Sequence, residues 1–85
     1  MYYVYVLANE KGKIYIGYTS NIKERYLAHQ RKEVKSTREG KWRLVYYEAY
    51  RDKKDALIRE KHLKKSGQGR RWLKERIKNS LSTSE

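Results

Sequence analysis

Five side chains in this sequence are costly choices for a plain structural interior: Tyr5, Tyr15, Arg25, His29 and Glu60. Each has an ordinary reading alone, since a strand tyrosine is usually core aromatic, a lone histidine is usually packed, and an arginine and a glutamate can form an ion pair. Together they fit hydrolysis of a phosphodiester. The Glu60 carboxylate can hold a hydrated divalent cation against a non-bridging phosphate oxygen, and the Arg25 guanidinium can stabilise charge developing on the phosphorane. A phenol or imidazole, from Tyr5, Tyr15 or His29, can move the proton of the attacking water. Because only one carboxylate is in the set, the metal it suits is hydrated Mg²⁺ (or Mn²⁺), which binds through few protein ligands plus substrate phosphate.

A tyrosine base has to overcome an ordinary pKa near 10. Neighbouring cations favour the phenolate, so the basic surroundings are expected to draw Tyr5 or Tyr15 down toward neutral pH.

The elements that must position these groups can be read in turn. Residues 2 to 8 and 13 to 19 are rich in β-branched and aromatic residues, and Asn9-Glu10-Lys11-Gly12 between them carries turn chemistry, which predicts a hairpin. Neither arm alternates cleanly, so the sheet is expected to be covered on both faces. Tyr3, Tyr5 and Leu7 share one face, as do Tyr15, Gly17 and Thr19. Pairing residue 7 with 13 makes Tyr5 and Tyr15 direct neighbours, whereas pairing 8 with 13 puts them on opposite faces, and the sequence alone leaves both open.

Asn21 followed by Glu24 is a helix-start signature, predicting a helix to about residue 33. Arg25 and His29 lie about 40° apart on it, next to Ile22 and Tyr26, bordering the inward face. Residues 34 to 42 read as a polar, mobile loop with Lys35 and Arg38. Trp42 to Tyr50 reads as a third strand, and Asp52 caps a helix over 53 to 65 whose stripe is Ala56, Leu57 and Leu63, with Glu60 at its centre. A last helix, about 70 to 80, packs through Trp72 or Leu73, then Ile77 and Leu81. The fold class is α+β: a three-stranded, mainly antiparallel sheet flanked by helices in the order β-β-α-β-α-α, in one domain over residues 1–81 with a frayed tail at 82–85.

The net charge is +12 over 85 residues, and residues 51 to 78 alone hold twelve lysines and arginines against four acidic residues. Such density points to a polyanion, most simply nucleic acid. With no cysteine, disulfides, thiolate metal sites and thiol catalysis are excluded. No apolar run approaches membrane-spanning length and the N-terminal run has no charged leader region, so a cytoplasmic protein without membrane contact is expected.

Tyr3-Val4-Tyr5, Tyr15-Ile16-Gly17, Thr19-Ser20-Asn21, Arg25, His29 and Arg59-Glu60-Lys61 together resemble the GIY-YIG nuclease superfamily, in particular its small stand-alone bacterial proteins and the N-terminal nuclease domain of one of the excision-repair proteins. The resemblance spans Tyr2 to about Ile77. It implies that Tyr5 and Tyr15 are the active-site tyrosines, with Tyr5 the general base. It further implies that Arg25 contacts the scissile phosphate, that His29 fills a histidine-or-tyrosine position, and that Glu60 is the metal-binding carboxylate. It favours the hairpin register with both tyrosines on one side. Tyr3 stands where the first signature has glycine, Tyr18 where some relatives have lysine, and Lys64 is the candidate for a late polar residue of the family.

The implied activity is a DNA endonuclease of the repair or recombination type. Its contacts to phosphate would come from Lys32, Lys35, Arg38, Lys61, Lys64, Lys65, Arg70, Arg71 and Lys74, and these position DNA without reading sequence. A protein partner would supply further specificity. The competing reading is a non-catalytic nucleic-acid-binding module that uses tyrosines as stacking platforms; it would tolerate loss of Glu60 and Arg25, and a nuclease would not.

Overall fold

Asn9 sets the first hairpin. In the computed structural model, which describes residues 1–82, its backbone N–H donates to the Lys13 carbonyl at 3.0 Å while its side-chain oxygen accepts from the N–H groups of Lys11 and Lys13. Gly12, at φ +84°, supplies the left-handed residue that closes this short connection. The strands are therefore β1 (Tyr2–Asn9) and β2 (Ile14–Thr19), with Tyr5 opposite Gly17 and Leu7 opposite Tyr15. Neither the 7–13 nor the 8–13 pairing occurs, because Asn9 prolongs β1 and tightens the turn. Tyr5 and Tyr15 do share a face, diagonally instead of side by side.

β3 (Trp42–Tyr50) pairs antiparallel with the other side of β1, giving the order β2-β1-β3 among the described residues. A register shift between Val6 and Leu7 leaves Val45 as an extra residue, a β-bulge. The central strand is buried from Val4 to Ala8, with Asn9 8% exposed, as expected for a sheet covered on both faces.

One face of the sheet carries the core. Val4, Val6 and Ile16 meet Ala56 and Leu63 of α2 (Lys53–Lys65), Leu73 of α3 (Gly67–Arg76) and Ile77 just beyond it. Leu57 is not part of this stripe: it lies about 100° around the helix from Ala56 and is 39% exposed. The last helix uses Leu73, Ile77 and Leu81, which leaves Trp72 outside. It begins earlier than expected, at Gly67, because Ser66 Oγ accepts from Gly69 N–H, and it breaks at Ile77 before α4 (Lys78–Ser82). The order is β-β-α-β-α-α with that final helix in two pieces. Of the tail expected at 82–85, Ser82 ends α4 and residues 83–85 lie outside the described residues.

Two polar features also shape this architecture. On the helix face, Arg59 donates from Nε and Nη2 to both oxygens of Glu48, which also accepts from the hydroxyls of Tyr46 and Tyr50. Burial opposes a charge there, but these donors hold the Glu48 carboxyl below the usual carboxylate range. The pair ties α2 to β3 and so fixes the rotation of the helix that bears Glu60. On the opposite face, α1 (Ile22–Gln30) is capped by Asn21 and ends three residues short of expectation, because Lys32 turns left-handed at φ +64° and the Glu33 N–H closes onto Ala28. The segment expected as mobile then forms a 3₁₀ turn, Lys35–Thr37, with Thr37 fully buried.

Candidate active site

Tyr5 is 1% exposed, and its ring lies flat against the Gly17 backbone: a Cβ at Gly17 would stand 2.4 Å from Cζ and from the phenol oxygen. The two residues are cross-strand partners, so the absence of a side chain at 17 makes the slot for the phenol. The glycine is needed for this close approach, not for its backbone angles.

From this slot the phenol oxygen reaches α1. It accepts from Arg25 Nε at 3.1 Å and lies 2.8 Å from His29 Nε2. The other ring nitrogen, Nδ1, lies 2.6 Å from Thr37 Oγ1, whose hydroxyl in turn lies 3.5 Å from the Val34 carbonyl. One assignment gives every proton an acceptor: Tyr5 donates to His29 Nε2, His29 Nδ1–H donates to Thr37, and Thr37 donates to Val34. Reversing it would turn the Tyr5 hydroxyl proton toward Tyr15 instead.

The electrostatics run against the phenolate expected at Tyr5. Burial pushes the Tyr5 phenol up to about 12, outweighing the Arg25 guanidinium that favours ionisation, and Tyr15 adds to the upward push. Burial, with Arg25 beside it, pushes His29 down to about 4. Near neutral pH the pair is thus phenol and neutral imidazole. Tyr5, for its part, raises the pKa of Arg25.

Stability inherits a pH dependence from His29. Unfolded, this residue has its ordinary pKa of about 6.5, so between that value and about 4 the unfolded chain binds the proton that the folded chain refuses. The stabilisation is complete above the higher value and is lost as pH falls through this window, by at most about 3 kcal/mol. The thermal midpoint should therefore drop between neutral pH and about 4.5, and His29→Gln should flatten the drop. An equal drop in the variant would assign the acid lability elsewhere.

Tyr15 stands beside this chain. Its ring centroid is 4.9 Å from that of His29, edge-on, and 6.2 Å from that of Tyr5. Partly exposed, it lines a cleft of about 470 Å³ with Lys11, Lys13, Ser36 and Trp42. The sheet and α1 thus bring together Tyr5, Tyr15, Arg25 and His29. Glu60 lies on α2, its side chain 19% exposed, and pairs with Lys64 at 3.1 Å. Among the described residues no three His, Cys, Asp or Glu side chains gather. That donor set suits a mostly hydrated Mg²⁺ or Mn²⁺ held by one carboxylate, and suits a fully protein-caged ion poorly.

The basic residues divide by what they already do. Arg70 Nη1 donates to the carbonyls of Leu63 and Lys64, capping α2, and Lys32 donates from Nζ to the Gly40 carbonyl. Lys35, Arg38, Lys61, Lys65, Arg71 and Lys74 are exposed. Sequence reasoning missed Thr37, which looks like any hydroxyl in a polar loop until the 3₁₀ turn folds it under His29. It also missed Glu48, although Tyr46, Glu48 and Tyr50 recur at the two-residue period of one strand face.

Known proteins are similar to this chain in sequence and fold. A family profile described as the GIY-YIG catalytic domain matches residues 1–72. The chain is 39% identical over 67 residues to a UPF0213 protein of Clostridium perfringens, covering 76% of this chain and 72% of the relative. It is 42% identical over 65 residues to one of Lacticaseibacillus paracasei, covering 74% and 73%. The solution NMR structure of a UPF0213 protein from Bacillus halodurans superposes with a TM-score of 0.58 at 31% identity, covering 99% of this chain and all of that one.

Proposed function

Because the chain belongs to the GIY-YIG family, whose domain indicates a nuclease acting on DNA, we propose that it is a metal-dependent endonuclease that hydrolyses DNA phosphodiester bonds. The observation that carries the reading is the hydrogen-bonded run Arg25–Tyr5–His29–Thr37, with Tyr15 between it and an open cleft. A buried phenol already donating to a neutral imidazole can accept a proton from water as it passes its own to His29 Nε2, with no free phenolate formed. The negative charge growing on the phosphorane offsets the cost of charging His29. Arg25 spends Nε on Tyr5 and also interacts with Tyr15, and its remaining donors would turn to the phosphate.

Glu60 would hold the divalent cation, which when bound supplies charge neutralisation at the phosphate. Thr37 keeps His29 in the tautomer that receives from Tyr5. The exposed cations would add salt-sensitive contacts that read no sequence, so cleavage is expected to follow DNA structure more than base order.

Cleavage of labelled single-stranded, duplex, flap and four-way DNA, with Mg²⁺, Mn²⁺ or chelator, tests the reading. Metal-dependent products from the wild type, absent with chelator and in Glu60→Ala, are expected. Binding without cutting, equal in both proteins, would favour the binding-module reading instead.

A further inference from the structure

Trp72 is 63% exposed on α3, although the packing stripe of that helix is already complete with Leu73 and Ile77. It borders a groove of about 520 Å³ between α2 and α3, lined also by Arg59, His62, Gly69, Glu75 and Arg76. The groove belongs to the helices that cover the core face of the sheet, opposite the tyrosines.

The groove is built for an anion beside a flat apolar surface. Its Gly69 floor admits no side chain, since a Cβ there would meet the His62 ring at 2.8 Å. The Arg59 guanidinium is fixed by Glu48 through Nε and Nη2, while Nη1 lies 3.5 Å from His62 Nδ1. The Arg76 guanidinium is exposed and near enough to Tyr46 to act on its phenol electrostatically, and Glu75 is drawn toward Lys78 at 3.7 Å. Trp72 and Arg76 are one helical turn apart on one face, about 6 Å at the Cβ atoms. A single nucleotide spans that gap between its base and its phosphate.

We propose that this groove binds single-stranded DNA, with one base stacked on the Trp72 indole and the adjacent phosphate on Arg76. Bases inside a duplex are already stacked and paired, so the indole face selects a single strand. The site does not depend on the endonuclease reading. If both hold, a DNA that engages the tyrosine face and the groove together must carry a single-stranded arm.

A short thymidine oligonucleotide, titrated in chelator so that no cleavage intervenes, provides the test. Tryptophan fluorescence should be quenched saturably in the wild type and in Trp42→Phe, which keeps Trp72 as its one indole. Affinity by anisotropy should fall about tenfold in Trp72→Ala, the loss expected for one stacked base, and should fall also in Arg76→Ala. Trp72→Ala should keep the wild-type thermal midpoint and the wild-type rate on a fully duplex substrate. Equal oligonucleotide affinity in Trp72→Ala and wild type would overturn the proposal, as would fluorescence that stays unquenched in Trp42→Phe, where Trp72 is the one indole left. A wild type that binds with these signatures but cuts nothing would leave the groove assigned and sink the endonuclease reading alone.

Discussion

Tyr5→Phe should bind DNA as the wild type does and cleave it about 10²- to 10⁴-fold more slowly, the range typical of losing a positioned proton-transfer group. The ring stays in its slot over Gly17, so what is removed is one oxygen. That oxygen both accepts from Arg25 Nε and lies 2.8 Å from His29 Nε2, so its loss also leaves a buried imidazole nitrogen unpaired. A stability loss of about 1–3 kcal/mol should accompany the slower rate. The pH dependence separates two ways in which Tyr5 could act. A free phenolate base with its pKa raised to about 12 would make the rate climb tenfold per pH unit through the neutral range. The proton relay needs phenol and neutral imidazole, both of which dominate from above about 4 to below about 12, so the wild-type rate should be flat across neutral pH. A Phe variant that cuts within tenfold of the wild type would remove Tyr5 from the chemistry.

Gly17→Ala should be the most damaging single methyl group in the protein. A Cβ at 2.4 Å from the Tyr5 ring cannot be accommodated without movement, and the ring is not free to move. It is 1% exposed and its far end is held by two hydrogen bonds to α1. Overpacking of this kind costs about 1–3 kcal/mol. A displacement of even about 1 Å at a reacting group can lower a rate 100-fold, so activity should fall further than stability suggests. Combining Gly17→Ala with Tyr5→Leu should cost less stability than the two single changes summed, because the clash has no partner left. Strict additivity would mean that the glycine serves something other than the phenol.

Much of this was legible in the sequence because it rests on periodicity. The three strands, the Asn21 and Asp52 caps, and the inward placement of Arg25 and His29 follow from spacing alone, and the structure has them there. The hairpin register was not legible. It depends on whether Asn9 ends the strand or begins the turn, a choice made by two hydrogen bonds to its own side chain. Trp72 against Leu73 was a matter of one helical step, decided only when Ser66 sets the start of α3. The direction of the Tyr5 shift could not be foreseen either. A charge count sees the basic residues that favour a phenolate, but it cannot see that the phenol is sealed away from water, and burial is the larger effect. Thr37 illustrates the same limit, since its role exists only once a turn has formed.

β1 is flanked on both sides by strands that follow it in the chain, β2 immediately and β3 only at Trp42–Tyr50. A ribosome therefore makes the segment bearing Tyr5 well before the partner that closes its second edge. Until β3 arrives, Val4 to Asn9 can be buried on one side at most, and the slot for the phenol has neither its second wall nor a fixed position relative to Arg25. The slot that positions Tyr5 against Arg25 is thus completed late, and the most basic stretch of the chain, residues 51 to 78, is made later still.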